Sequence, residues 1–421
     1  MKTVLGFDSW TQGSVYFDRL VPELEQRGYR LILIHLGSWG HDPGRPAEER
    51  IGQLTLRDIG FYGGKGFRDI LELERPAGVI YFSTRSLAHQ AFNLYCRFLG
   101  IPTVHLYHGL ATVQAFQSGG SAFRVNWLNQ LTLVSTRLGK NLFKIWPTYL
   151  RALVDTRARP SAWLDFLQQL SNKIQGKITP APLAATTDAG CVYTAADVEH
   201  MQRNYHIPDD YISVVGNPDV SGFGLSEGNL AHCLDNEGGT NEVLYIDTAF
   251  NESGMVFSDA DAFAQHLVQS AEALSRQGLK LVAKLHPAHG RTGVADTLRS
   301  QGVAICSGSE FVERLMQAKA ALVEPSTAAL IPALLGLPLL LAEYGPLTGQ
   351  AYGEALTGYP RACSLTNIAD ASRIIDEVRS SDRLDASRVW IDQNSGPLPA
   401  SRMSERAAEA IIATLNRKAL P

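Results

Sequence analysis

Two apolar runs in the second half of this 421-residue chain constrain its fold more than any other feature. The first is Leu279-Lys-Leu-Val-Ala-Lys-Leu-His286-Pro287. The second is Ala320-Ala-Leu-Val-Glu324-Pro325-Ser326-Thr327, which continues through a small-residue helix to Gly336-Leu-Pro338-Leu-Leu-Leu. Short apolar runs of this kind read as strands buried on both sides, as in a parallel sheet covered by helices. Each run stops abruptly at hydrogen-bonding side chains. Open α/β sheets bind ligands beyond the carboxyl ends of their strands, so two such ends predict a single site.

The same alternation runs through the rest of the chain. Thr3–Phe7 reads as a strand, 8–14 as the loop after it, and Val15 to Arg27 as a helix closed by Gly28, before a second strand at Tyr29–Leu36. This βαβ unit has Gly13 in its first turn but no GxGxxG spacing, which argues against a dinucleotide site of that type. Further strands are expected at Gly78–Ser83 and Thr103–Gly109, with a helix at 87–99 between them. Strands from Ala189 and at Tyr211–Gly216 complete the first half. Residues 221–241, rich in Gly, Asn, Ser and Asp, read as a linker. The pattern restarts with a strand at Glu242–Asp247 and a helix at Ala260–Arg276, and ends with a helix at Ser404–Arg417 that is expected to cross back. The fold class is therefore α/β, with two Rossmann-like domains facing a central cleft. The N-terminal domain spans 1–220 with a helical insert at about 121–185, the second domain spans 242–400, and a terminal helical segment covers 401–421.

The insert carries Trp127, Leu128, Phe143, Trp146, Trp163 and Phe166, interleaved with Arg137, Lys140, Lys144 and Arg151. It reads either as a basic amphipathic surface for lipid or a lipid-linked acceptor, or as helices packed on the sheet. Elsewhere composition mainly excludes. At 421 residues, 45% apolar and 19% charged, the chain is globular and too long for one core. A net charge of −4 leaves no general nucleic-acid footprint. Five scattered cysteines without CxxC spacing fit reduced thiols. The amino-terminal apolar run is too short for a signal peptide, and no window approaches about 18 unbroken apolar residues. A soluble, cytoplasmic protein is expected, with peripheral contact at the inner membrane as a further option.

The polar strand ends define candidate chemistry. Ser326 and Thr327 stand where a strand turns into a helix, so their hydroxyls and the helix's free N–H groups suit an anion. His286, at the neighbouring strand's end, can donate to a phosphate, and Lys284, two residues earlier and so expected on the same strand face, adds positive charge. Glu324 suits a ribose hydroxyl or a salt bridge. Pro287 is read as part of the donor side, or as a strand stop. Singly, His286 also reads as an ordinary strand-end histidine and Ser326-Thr327 as helix caps. Acids end the first strand of each domain: Asp8, beside Gly13 and Ser14, and Asp247, followed by Glu252 in its loop. His108, ending a first-domain strand, is a candidate for acceptor or donor sugar. No His, Cys or Asp spacing supports a metal, and no cofactor is expected.

These residues resemble the GT-B glycosyltransferases of the bacterial branch that includes sialyltransferases, polysialyltransferases and Kdo transferases of surface polysaccharides. The resemblance rests on His286-Pro287, on Ser326-Thr327 further along, on Val214-Val-Gly-Asn-Pro-Asp219 at the domain crossing, and on Ile101-Pro-Thr-Val-His-Leu-Tyr-His-Gly109. It covers about residues 1–110 and 190–375. The acidic motif of some sialyltransferases has no match here; Asp209-Asp210 comes nearest. The resemblance implies a CMP-sugar donor, most plausibly CMP-Kdo, whose phosphate meets His286, Ser326 and Thr327. It implies a lipopolysaccharide, O-antigen or capsule glycan as acceptor. It also implies catalytic carboxylates: Asp8 as base toward the acceptor in an inverting reaction, or Asp247 as a covalent nucleophile in a retaining one. Arg291, with Lys284, is a candidate for the sugar's carboxylate. Alternatives on the same fold are a CDP-glycerol-type phosphotransferase, a UDP-sugar enzyme, and a non-catalytic nucleotide-sugar-binding scaffold.

Overall fold

Strands in the computed structural model assemble into two separate sheets, one in each half of the chain. The structure describes all residues except 9–12, 40–43, 108–140, 175–181, 237–238, 249–255, 287–288, 290–291, 351 and 419–421. The first sheet contains β1 (Lys2–Asp8), β2 (Tyr29–His35), β3 (Glu48–Ile51), β4 (Leu54–Asp58), β5 (Gly78–Tyr81), β6 (Thr103–Leu106), β7 (Ala189–Val192) and β8 (Ile212–Val214). Its order is β3-β4-β2-β1-β5-β6-β7-β8. All pairs are parallel except the antiparallel β3–β4 edge. The second sheet contains β9 (Glu242–Ile246), β10 (Lys280–Lys284), β11 (Ala304–Ile305), β12 (Ala320–Val323), β13 (Leu339–Ala342) and β14 (Ala362–Leu365). Its order is β11-β10-β9-β12-β13-β14, parallel throughout.

Each sheet reverses its winding once. The chain leaves β1 for β2 on one side and returns to β5 on the other; likewise β10 and β12 flank β9 on opposite sides. Such switch points leave a crevice beyond the strand ends, and the end residues of β1 and β9 border the two crevices.

Residue alternation explains why both faces of each sheet are covered. Val243, Tyr245, Leu281 and Leu322 point into one cluster. Leu244, Ile246, Val282 and Val323 point into another, which also holds Val4, Leu31 and Ile80 of the first sheet. Leu5, Phe7, Ile32 and Tyr81 fill the remaining face of that sheet. The middle cluster is continuous between the halves.

Several local expectations change. The expected helix from Val15 to Arg27 splits into Ser14–Asp18 and Val21–Gln26, with Pro22 in the first turn of the second piece. Pro lacks an N–H and cannot extend a helix through its interior, so the break falls there. The β3–β4 hairpin was not expected, because three of the four β3 residues, Glu48, Glu49 and Arg50, are charged and give no apolar alternation. Arg57 ties it to Glu48 (2.6 Å) and to Glu74 (2.7 Å). The expected linker at 221–241 is packed, in its described residues, rather than free. Leu225, Cys233 and Leu234 are buried, and Ala231 N donates to Leu334 O (2.9 Å).

The described part of the expected insert is helical, at Trp146–Asp155 and Pro160–Ile174. Its inner face packs on the Leu87–Phe98 helix: Tyr95 Oη donates to Asp155 Oδ2 (2.7 Å), and Gln90 pairs with Gln169 (3.0 Å). Tyr149 and Phe166 are buried there. Trp127, Leu128, Arg137 and Lys140 lie outside the described residues. The Met403–Lys418 helix lies against β6 and β7 of the first sheet. It brings Leu415 so near β5 that a Cβ on Gly78 would fall 2.1 Å from Leu415 Cδ2. Arg406 Nε donates to Val215 O (2.7 Å), and Arg27 pairs with Glu409 (3.3 Å).

Candidate functional site

The carboxyl ends of β9, β10 and β12 carry a buried polar network beneath an exposed rim. Asp247, directly after β9, is only 4% exposed. Its Oδ2 accepts the backbone N–H of His286 (2.9 Å) and lies 2.9 Å from His289 Nε2. The His289 ring stacks on Phe263, with centroids 5.1 Å apart at 13°, and its Nδ1 is 3.3 Å from Thr292 Oγ1. One carboxylate thus fixes the turn after β10 at two points, through a backbone group and a side chain. His286 itself is exposed on that turn.

Glu324, at the end of β12, is fully buried. Tyr245 Oη donates to Oε1, while Thr248 N–H (2.9 Å) and Thr248 Oγ1 (2.7 Å) donate to Oε2. Burial pushes its carboxyl up to about 7, and the neighbouring Asp247 charge adds to the shift. With both oxygens occupied, Glu324 anchors the loop after β9 instead of presenting an acceptor to a ribose. That changes the expected role of this residue.

Ser326 and Thr327 reach the surface half-exposed at the end of β12. Ser326 Oγ accepts from Ala328 N–H (3.2 Å), capping the turn at Thr327–Ala329 that leads into the Leu330–Leu335 helix. Tyr352 Oη braces the same end by donating to Val323 O (2.7 Å) and Ala342 O (3.0 Å). His286 and Ser326 do not sit on neighbouring strands, as the run spacing implied: β9 lies between β10 and β12. At about 4.8 Å per strand spacing, the two strand ends are roughly 10 Å apart, with Asp247 between them. Lys284 is the last residue of β10, so strand alternation does not carry it onto the face of His286. Its ammonium donates to Leu285 O (3.2 Å) and lies 5.7 Å over the Phe311 ring.

The first half offers a second carboxylate–histidine pair. Asp8 ends β1 with its side chain 14% exposed, and its Oδ1 is 3.8 Å from Nε2 of the buried His89. Ser86 Oγ holds His89 Nδ1 from the other side (2.5 Å). A Cβ on Gly13 would fall 2.5 Å from Asp8 Oδ2, so a larger residue there would displace that carboxylate. Ser14 begins the following helix and is buried. Beyond β5–β7, Arg85 Nε donates to Tyr205 Oη (3.2 Å) and Tyr107 Oη meets His200 Nδ1 (2.8 Å). Burial and the charges of Arg85 and Arg203 bring the His200 imidazole down to about 4. His108, Glu252, Pro287 and Arg291 lie outside the described residues.

Sequence reading missed His289, His89, Tyr245 and Thr248. The His286-x-x-His289 spacing was the one available signal. Among the described residues, no group of three or more His, Cys, Asp or Glu is placed to hold a metal ion.

No family model matches the sequence, and none of the curated protein sequences matches it. Solved structures do. The wall teichoic acid polymerase TagF matches over 100% of this chain and 90% of its own, at 10% identity and a TM-score of 0.51. The fold is GT-B. A second TagF structure, soaked with CDPG, matches at 9% identity and a TM-score of 0.51, with the same coverage. The S. aureus MnaA–UDP structure is similar at 12% identity and a TM-score of 0.49, over 99% of this chain and 97% of that one. In the GT-B arrangement the two Rossmann-like halves turn their strand ends toward a common cleft, which gives the β1 and β9–β12 ends their interest.

Proposed function

We propose that this chain is a glycosyltransferase that takes a nucleotide-activated sugar and transfers it to a glycan acceptor. One observation carries the reading: His286 and Ser326–Thr327 rise, exposed or half-exposed, on either side of the buried Asp247. A phosphate leaving the anomeric carbon gains negative charge as the bond breaks, and donors already in place stabilise it without reorganisation. The hydroxyls of Ser326 and Thr327 and the imidazole of His286 are those donors. Asp8, the partly exposed carboxylate of the other half, takes the proton from the acceptor hydroxyl as its oxygen bonds to the anomeric carbon.

Asp247 has a different part in this scheme. A covalent nucleophile needs a lone pair facing the anomeric carbon, whereas Asp247 is buried beneath the His286 turn with one oxygen engaged twice. We assign it to positioning His286. For the donor, the His-Pro and Ser-Thr motifs favour a CMP-activated sugar acid, Kdo first, with a bacterial surface polysaccharide as acceptor, free or lipid-linked. A second reading is CDP-glycerol-type phosphotransfer, favoured by the likeness to TagF along the whole chain. The purified protein, given CMP-Kdo, CDP-glycerol or UDP-N-acetylglucosamine in turn, is assayed for nucleotide release. Release of CMP from CMP-Kdo supports the first reading, and release from CDP-glycerol alone replaces it with the second. Release from the UDP-sugar alone overturns both.

A further inference from the structure

Positive charge is concentrated in one part of this acidic chain. Residues 75–187 contain twelve Lys and Arg but only two acids, Asp155 and Asp165, so they carry +10 while the rest carries −14. Three of these arginines, Arg97, Arg157 and Arg159, line a single cavity of about 480 Å³. It lies between the end of the Leu87–Phe98 helix and the turn joining Trp146–Asp155 to Pro160–Ile174. No acid lines this cavity; Leu94, Phe98 and Leu183 supply its apolar wall. None of the three guanidinium groups forms an ion pair among the described residues, and Arg97 donates only to Leu183 O (2.9 Å).

Large apolar side chains stand in water at the same corner. Phe98 and Leu183, on the cavity wall, are 48% and 56% exposed, and Val154, Leu164 and Leu167 are 62%, 66% and 59% exposed. The Pro160–Ile174 helix buries Phe166 inward and turns Leu164 and Leu167 outward. Leu164 lies one turn beyond Ser161, which lines the cavity. Arginines alone would suit any polyanion, and apolar residues alone any apolar partner. Together they match a bilayer interface, where phosphates lie just above acyl chains. Among the described residues no helix is long and apolar enough to cross a membrane, so any contact made here is from the surface.

We propose that this corner is a docking surface for an anionic phospholipid bilayer. The cavity arginines take headgroup phosphates, and Val154, Leu164 and Leu167 dip to the acyl boundary. This inference is independent of donor identity. The test is co-sedimentation of the full chain with vesicles of phosphatidylglycerol and phosphatidylcholine, against phosphatidylcholine alone. Arg157→Glu/Arg159→Glu and Leu164→Ser/Leu167→Ser alter only exposed side chains, and unchanged melting confirms that both variants fold. The expected result is selective binding to the anionic vesicles. Charge reversal lowers that partition at least about tenfold, and the serine pair lowers it several-fold. Absence of vesicle binding, or an unchanged partition in the charge-reversed variant, overturns the proposal. So does an unchanged partition in the serine variant, which would reveal a purely electrostatic polyanion site. Stabilisation by inorganic phosphate without vesicle binding overturns it as well, in favour of a small-anion site.

Discussion

The two halves each end a first strand with an acid near a buried histidine, yet the pairs are built differently. In the second half Asp247 and His289 are 2.9 Å apart with side chains 1% exposed, and the carboxylate also holds the His286 N–H. In the first half Asp8 and His89 are 3.8 Å apart, and the acid is 14% exposed. The first pair is part of the framework that presents His286. The second leaves its carboxylate within reach of a ligand. The same residue types at equivalent strand ends are therefore locked in support in one half and left open in the other, where the proposed function uses the acid as a base.

Removing each acid in turn should separate the two pairs most clearly. Asp247→Ala leaves the buried His289 and the His286 N–H without their shared partner, and should cost about 3–5 kcal/mol by denaturant unfolding. Asp8→Ala should cost less than about 1 kcal/mol but lower transfer by about 10²–10⁴-fold. Equal unfolding midpoints for the two variants would erase the distinction. Next in size is Gly13→Ala, whose Cβ would meet Asp8 Oδ2 at 2.5 Å. Displacing that carboxylate by about 1 Å should reduce transfer by about 10²-fold while melting changes little.

Glu324 sharpens the framework side. Its folded carboxyl is raised to about 7, above its ordinary range, so the native state holds its proton between the two values. By linkage its contribution to stability is fully present below the ordinary carboxylate range and is lost as pH rises toward about 7. Glu324→Gln should remove that slope. It should also cost about 1–3 kcal/mol, because an amide cannot accept from Tyr245 and Thr248 on both sides. Melting curves from pH 5 to 8, as a range of about three units around the titration, would show a slope unchanged in the variant if this assignment is wrong. The smallest effect is expected at His200, brought down to about 4 by burial and by Arg85 and Arg203. Its contribution is lost as pH falls from its ordinary range toward about 4, so His200→Gln should melt with a shallower acid limb.

Much of this architecture was legible because parallel strands buried on both faces must be apolar throughout. Leu281–Ala283 and Ala320–Val323 announce themselves that way, and His286 and Ser326 follow where each run ends. What was not legible depended on contacts distant in sequence. The charged Glu48-Glu-Arg run hides β3, whose pairing with β4 is supported by Arg57 with Glu48, while Glu74 of the Phe67–Glu74 helix holds Arg57 from the other side. The Gly- and Asn-rich segment at 221–241 resembles a linker until Leu234 and Ala231 are seen against the Leu330–Leu335 helix. Strand order, which places β9 between His286 and Ser326, has no local signature, and neither does the burial that turns Glu324 into an anchor.

The most direct test of the central claim is a thermal-shift panel of CMP, CDP, UDP, UMP, GDP and ADP on the native chain, His286→Ala and Ser326→Ala. A bound nucleotide stabilises the folded state by about 2.7 kcal/mol at a hundredfold excess over its Kd. A cytidine nucleotide should stabilise the native chain, and that stabilisation should be lost in both variants, each of which melts normally without ligand. Stabilisation that persists in both variants, or no response to any nucleotide, would contradict a donor site built on the ends of β10 and β12.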